Sequence, residues 1–228
     1  MNLDSSRGQQ LSISRSRATK KLTLLLVIGT SVAWLILVCA GLAWLSNYEN
    51  TPGVVAAPPT QWPNKSRLLP SVEHATLVLL AHPHCPCTKA SIGELAAIMA
   101  HSQGRLTAYV VFLKPEGFSE DWEKTDLWRD AGQIPGVTPL VDENGREAAL
   151  FQSSTSGQTL LYDQQGQLLF KGGITASRGH SGDNAGRSAI ISIVNTGSSN
   201  QDTTPVFGCP LLDPQSACRI PKDDKHAN

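Results

Sequence analysis

The longest apolar segment of the chain covers residues 22–45 and contains no charged residue. At a rise of about 1.5 Å per residue, a helix of this length crosses the hydrocarbon core of a bilayer. Lys and Arg residues cluster before it, in the first 21 residues. The positive-inside rule then places the N-terminus in the cytoplasm. We predict a cytoplasmic tail at residues 1–21 and a transmembrane helix at 22–45.

A cleaved signal peptide is the alternative explanation of the same segment. The apolar run is longer than a typical signal-peptide core, and no convincing small-x-small cleavage site follows it. We therefore expect an uncleaved anchor and an exported remainder. Residues 46–70 contain five prolines and little apolar periodicity, which predicts a linker that holds the folded domain off the membrane.

Apolar runs and turn residues alternate from about residue 71 onward. The run Ala75–Ala81 predicts a buried strand, residues 90–100 carry a helical apolar face, and residues 106–113 predict a second strand. Ser91 and Glu94 have the spacing of a capping box, which would start this helix a turn later than the position of the cysteines suggests. Strand, helix and strand at this spacing indicate a parallel βαβ unit.

The second half of the domain predicts a short strand, a hairpin and a terminal helix. Residues 138–141 form the strand, and a short helix follows at 146–151. Two strands flank the turn Asp163-Gln-Gln-Gly166, which indicates a β-hairpin. A helix over residues 184–194 ends near Gly197. The domain is predicted to span residues 71–197, and residues 198–228 to form an irregular extension.

Charge narrows the possible partners of the domain. The chain has 19 basic and 19 acidic side chains, and its exported part has a small acidic excess. Basic residues are not interleaved with aromatic ones anywhere in that part. The sequence therefore argues against nucleic-acid binding.

The segment His82-Pro-His-Cys-Pro-Cys-Thr88 lies at the junction between the first strand and its helix. Backbone N–H groups and the helix dipole favour a thiolate at a helix N-terminus, and the thiolate is the nucleophile in exchange reactions. A purely structural pair of cysteines does not need this position. The placement predicts redox chemistry or metal binding at Cys85 and Cys87.

A disulfide between two cysteines two residues apart is sterically feasible. Their Cα atoms approach to about 5.5 Å in a turn, which lies within disulfide range. The small ring favours a strained bond, which is easier to reduce. From its position after the strand, we expect Cys85 to attack and Cys87 to resolve the mixed disulfide.

A metal site is the second hypothesis for the same segment. Soft sulfur and borderline nitrogen ligands suit copper(I) or zinc. The candidate ligands are His82, His84, Cys85, Cys87 and the more distant His180.

The other cysteines have separate interpretations. Cys39 lies within the apolar segment and is expected to be a packing or lipid-facing residue. Cys209 and Cys218 fit a structural disulfide that pins the C-terminal extension. Alternatively, Cys209 is a third redox or metal-binding thiol at the Cys-Pro-Cys loop.

The order of elements, with the cysteines after the first strand, resembles the thioredoxin fold. The stretch from Thr138-Pro-Leu-Val-Asp-Glu-Asn-Gly145 to Leu160-Leu-Tyr-Asp-Gln-Gln-Gly166 is similar to bacterial membrane-anchored thiol–disulfide oxidoreductases, including a RedB-type group. The resemblance covers about residues 72–195. It implies an α/β domain at the bacterial inner membrane that faces the periplasm, acts on protein thiols and disulfides, and uses no organic cofactor.

Two features depart from that family. The motif is Cys-x-Cys where Cys-x-x-Cys is usual, and the place of the family's cis-proline falls on Gly157 or Gln158. Copper-delivery proteins of the same fold have a wider Cys-x-x-x-Cys spacing and a histidine before the hairpin. Residues 153–157 contain no histidine here, which leaves His180 as the late candidate.

Overall fold

The computed structural model describes residues 4–54 and 56–211, with side chains from Lys20 onward. The chain separates into two compact units, which meet in sequence between Tyr48 and Glu49. The first unit is helix α1 (Asp4–Glu49). Its part Lys20–Glu49 is long and apolar enough to cross a membrane. A signal sequence near an N-terminus would have the same length and composition.

The second unit is built on a five-stranded sheet. Strands β1 (Ala75–Ala81), β2 (Leu106–Lys114) and β3 (Val137–Glu143) are parallel, and β4 (Gln158–Tyr162) and β5 (Leu168–Gly172) form an antiparallel hairpin. The strand order is β3-β2-β1-β4-β5, with β4 antiparallel to β1. Four of these strands, in the order β2-β1-β4-β5, make the sheet of a thioredoxin-like fold.

Both faces of β1 are buried, which explains its continuous apolar sequence. Leu77 and Leu79 face one core, and Val78 and Leu80 face the other. The first core is covered by helices α2 (Pro86–Ser102), α3 (Asp126–Gly132) and α5 (Ala185–Thr196). The short helix α4 (Arg146–Leu150) lies against the second.

The predicted βαβ unit, hairpin and terminal helix are confirmed. Asn184 caps α5 by accepting from the N–H of Arg187, and Gly197 ends the helix in a left-handed conformation. The α/β, thioredoxin-like fold class after an N-terminal apolar helix is therefore correct. Residues 198–211 follow α5 without regular secondary structure and pair with the domain at isolated bridges.

The predicted capping box in α2 is wrong. The helix begins at Pro86, directly after Cys85, because proline is favoured in the first turn, where no N–H partner is needed. Ser91 instead donates to the carbonyl of Cys87. Glu94 is buried and accepts from the N–H of Gly182 and from the side chain of Arg187.

Much of the segment predicted as a linker, residues 46–70, lies against the domain. Gly53 donates to the carbonyl of Val206, Trp62 packs edge-on against Phe151 and Tyr162, and Leu68 is buried in the second core. The aromatic and aliphatic side chains between the prolines bury apolar surface against the domain. A linker free of the domain would leave that surface exposed to water.

Candidate functional site

Cys85 and Cys87 lie where the sequence places them, between the end of β1 and the first turn of α2. Cys85 is the N-cap residue of the helix, and Cys87 lies in its first turn. The N–H of Cys85 donates to the carbonyl of His82, and the N–H of Thr88 donates to the carbonyl of Cys85. These turns hold both sulfur atoms at the positive end of the helix dipole, where a thiolate is stabilised.

A third cysteine reaches the same place from the C-terminal extension. The Sγ atoms of Cys85 and Cys209 are 2.8 Å apart, within hydrogen-bonding distance for sulfur. The sequence identifies Cys209 only as an alternative member of this site. Its proposed structural partner, Cys218, lies outside the described residues.

The three thiols differ in acidity because they share hydrogen bonds. The bond with Cys209, and next the bond with Cys87, hold the pKa of Cys85 well below the usual thiol range, although burial opposes this. The hydrogen bond with Cys85, and then burial, raise the pKa of Cys87. These contacts favour the thiolate at Cys85, which would accept hydrogen bonds from its two neighbours.

His82 is buried beside the cysteines as a neutral ring. Its Nδ1 accepts from the N–H of His84, 3.2 Å away, which requires that nitrogen to carry no proton. Burial lowers the pKa of His82; the Cys85 charge opposes this, and His84 adds to it. His82 is therefore neutral and adds no positive charge beside the cysteine thiols.

His84 contacts Trp122, a residue far from the cysteine loop in sequence. Its Nε2 donates to the carbonyl of Trp122 at 3.0 Å, and the two rings are 4.6 Å apart. The ring of Trp122 also lies 5.5 Å from His82. Trp122 comes from the segment between β2 and α3, and no local pattern links it to the cysteine loop.

The five predicted metal ligands do not converge. His180 is exposed, and its Nδ1 donates to the carbonyl of Arg178 within its own loop. Among residues 4–54 and 56–211, no three His, Cys, Asp or Glu side chains form a group that could hold a metal ion.

Residues 203–211, here called the strap, run from the end of β5 along the segment before β4 and bring Cys209 against Cys85 of the cysteine loop. The N–H of Ser156 donates to the carbonyl of Cys209, and the N–H of Leu211 donates to the carbonyl of Ser154, both at 2.8 Å. The strap thus runs as a short antiparallel partner of the segment that precedes β4. That segment contains Gly157, one of the two positions aligned with the family's cis-proline, at a φ of 92°.

Arg178 connects the strap to the second cysteine. Its Nη1 donates to the carbonyl of Gly208 at 2.6 Å. Its positive charge lowers the pKa of Cys87, against the larger effects of Cys85 and burial. An isolated arginine in a glycine-rich loop gives no sequence signal for this role.

Solved structures share this fold at low sequence identity. A hypothetical protein from Sinorhizobium meliloti 1021 matches with a TM-score of 0.51 and 19% identity, over 71% of this chain and 94% of that one. An uncharacterized conserved protein from Geobacillus kaustophilus matches with a TM-score of 0.51 and 17% identity, over 74% and 95%. An exposed lipoprotein thioredoxin from Streptococcus pneumoniae has a TM-score of 0.39 and 14% identity, over 54% and 84%. No protein-family model and no curated protein matches the chain.

Likeness at these identities establishes a shared fold and leaves the activity to be argued from the site itself.

Proposed function

We propose that this chain is a membrane-anchored thiol–disulfide exchange protein that acts on protein substrates through Cys85 and Cys87. The observation that carries the proposal is the position of the two cysteines at the N-terminus of α2, where the helix dipole and the 2.8 Å contact with Cys209 favour the Cys85 thiolate. A thiolate at neutral pH is the nucleophile that disulfide exchange needs. The raised pKa of Cys87 favours its protonated form, and in this proposal Cys87 closes a Cys85–Cys87 disulfide.

The cellular setting follows from the apolar helix and the charges before it. We propose that residues 22–45 anchor the chain in the bacterial inner membrane, with residues 1–21 in the cytoplasm and the domain in the periplasm. An oxidising compartment suits a protein whose substrates carry disulfides. A protease-protection assay on spheroplasts tests this topology. Protease added from outside should cleave the domain and leave the cytoplasmic tail intact.

The alternative function, copper or zinc binding through the same cysteines and nearby histidines, has less support. His84 Nε2 and His180 Nδ1 are engaged by backbone carbonyls, and His82 Nδ1 by a backbone N–H. These contacts leave Nδ1 of His84 and Nε2 of His180 able to bind a metal. In the described part of the chain, however, no three His, Cys, Asp or Glu side chains form a group that could hold a metal ion. We therefore treat it as an outcome of the test below.

The test is a glutathione redox titration of the metal-free full chain in detergent, with thiol trapping and mass spectrometry. We expect a reversible Cys85–Cys87 disulfide with a midpoint between about −120 and −270 mV. Cys85→Ser should abolish it, whereas Cys39→Ser, in the apolar helix, should leave it unchanged. If Cys85 and Cys87 never pair and the reduced chain instead binds zinc or copper(I) tightly, the exchange proposal is wrong.

A further inference from the structure

The sequence led us to expect that Cys85 attacks the substrate, but Cys85 is the least exposed of the cysteines at the site. Cys85 has 0% of its surface exposed and Cys87 has 8%. Cys209 is partly exposed and lies against Cys85. Cys209 is therefore the most exposed of the three cysteines to an external disulfide.

The strap is fitted closely to the segment that precedes β4. A Cβ atom on Gly208 would lie 1.9 Å from the carbonyl oxygen of Ser156, so only glycine allows this approach. A Cβ on Gly173 would lie 2.5 Å from the carbonyl oxygen of Pro205. With Val206, Phe207 and Gly208 all buried, the strap is a docked element that presents Cys209 at a defined place.

The docked strap also occupies the backbone that an incoming peptide would use. The N–H of Ser156 and the carbonyl of Ser154 are hydrogen-bonded to residues 209 and 211. A substrate strand cannot add to this edge next to Cys85 while the strap is in place.

We propose that Cys209 is the thiol that exchanges with the external protein, and that it relays the disulfide inward to Cys85 and then to Cys87. This inference rests on the proposed exchange function of Cys85 and Cys87. It adds a third reacting residue and changes which sulfur atom meets the substrate.

The relay balances as three exchanges when the oxidant is a protein disulfide. First, the Cys209 thiol passes its proton to the neighbouring Cys85 thiolate and attacks the substrate. The Cys209–substrate bond forms, the substrate disulfide breaks, and the departing substrate thiolate takes that proton from Cys85, which is a thiolate again. Second, the Cys85 thiolate attacks Cys209, and the second substrate thiolate leaves and takes a proton from water. Third, Cys87 attacks Cys85, and Cys209 leaves with the proton from Cys87. The reverse sequence oxidises a substrate dithiol.

The charges around the sulfur atoms favour the third step after the second. Apart from burial, the pKa of Cys87 is raised by its hydrogen bond with Cys85 and by the charge of Cys85. Both vanish when Cys85 is bonded to Cys209. The charge of Arg178 remains and favours the Cys87 thiolate at that moment.

The first test follows reduction of insulin disulfides by the reduced full chain in detergent, in a single turnover. We expect Cys209→Ser to slow the reaction about tenfold or more, while its Cys85–Cys87 disulfide still forms in the glutathione titration. Cys218→Ser is the matched control from the same extension and should keep the wild-type rate. A wild-type rate in Cys209→Ser, or an equal loss in Cys218→Ser, overturns the relay.

A second measurement identifies the attacked sulfur directly. Cys85→Ser removes the thiol that resolves the mixed disulfide, so mass spectrometry should find insulin bound to Cys209. An adduct on Cys87 alone overturns the relay even if Cys209→Ser reacts slowly because its strap is displaced. If the wild-type chain neither reduces insulin nor forms the Cys85–Cys87 disulfide, the proposed function itself fails, and the relay with it.

Discussion

The sulfur atoms of Cys85 and Cys209 lie 2.8 Å apart although 124 positions separate the two residues in the chain. This contact joins the N-terminus of α2 to the strap. It contributes most to the lowered pKa of Cys85, so the strap favours the thiolate form of a residue in a distant part of the sequence.

The first prediction concerns that ionisation. A free thiol ionises with a midpoint of about pH 8.5. In the reduced full chain, the ultraviolet absorbance of one thiolate should persist well below that pH. Cys85→Ser should remove this signal. Cys209→Ala should raise the midpoint, because the first hydrogen-bond donor to the thiolate is gone. An unchanged midpoint in Cys209→Ala would show that the contact does not govern the acidity of Cys85.

The second prediction concerns access to Cys85. Gly208→Ala should push the strap off Ser156, because the new Cβ has no room beside that carbonyl. Alkylation of Cys85 by iodoacetamide, followed by mass spectrometry, should then become faster by about tenfold or more, since local opening limits reaction of a buried thiol. Gly93→Ala is the control: its Cβ meets only Ser181 Oγ at 3.8 Å, so the rate should stay the same. Equal rates in the wild type and Gly208→Ala would contradict a docked strap.

The third prediction concerns the pH dependence of stability at His82. Its pKa is lowered in the fold, so between that value and about 6.5 the unfolded chain binds more protons than the folded chain. Stability should therefore fall as the pH decreases through this window. His82→Asn keeps an acceptor for the N–H of His84 but cannot titrate, and its urea midpoint should fall less between pH 7 and pH 5. Identical pH profiles would rule out a buried neutral imidazole.

The fourth prediction concerns the contact between α2 and the loop before α5. Glu94 Oε2 lies 2.8 Å from Arg187 Nη1, and the carboxylate also accepts from the N–H of Gly182. Glu94→Gln leaves the partly buried arginine without its buried partner and should lower the free energy of unfolding by about 2 to 3 kcal/mol. Asp183→Asn removes the exposed carboxylate that binds the same arginine and should have little effect. Equal urea midpoints for the two variants would contradict this assignment.

Several elements could be predicted because their signals are local. The apolar run of β1 has two buried faces, the Asp163–Gly166 turn joins two strands, and Asn184 and Gly197 mark the ends of α5. Propensity, capping and turn chemistry depend on neighbouring residues, so the sequence carries them directly. The position of Cys85 and Cys87 at a strand–helix junction followed from the same local reasoning.

Local reasoning failed where two signals competed. Ser91 and Glu94 have the spacing of a capping box, yet the proline after Cys85 starts α2 earlier and Glu94 turns to Arg187. The prolines of residues 46–70 suggested a free linker, but Trp62 and Leu68 find apolar partners on the domain. In the first case a competing local signal, the proline, set the start of the helix. In the second, tertiary contacts outweighed the local pattern.

By itself, the sequence determined the order of strands and helices and the two cysteines at the end of β1, because these depend on residues that are close along the chain. Only the tertiary structure decided that Cys209 lies against Cys85 and that Trp122 packs on His82 and His84. It also decided that Arg178 acts on Cys87 and that His180 stays exposed in its own loop. Such contacts form when the sheet brings distant segments together. The strap pairs with Ser154 and Ser156 through backbone atoms, which every residue possesses, so no side-chain pattern in the sequence marks the pairing.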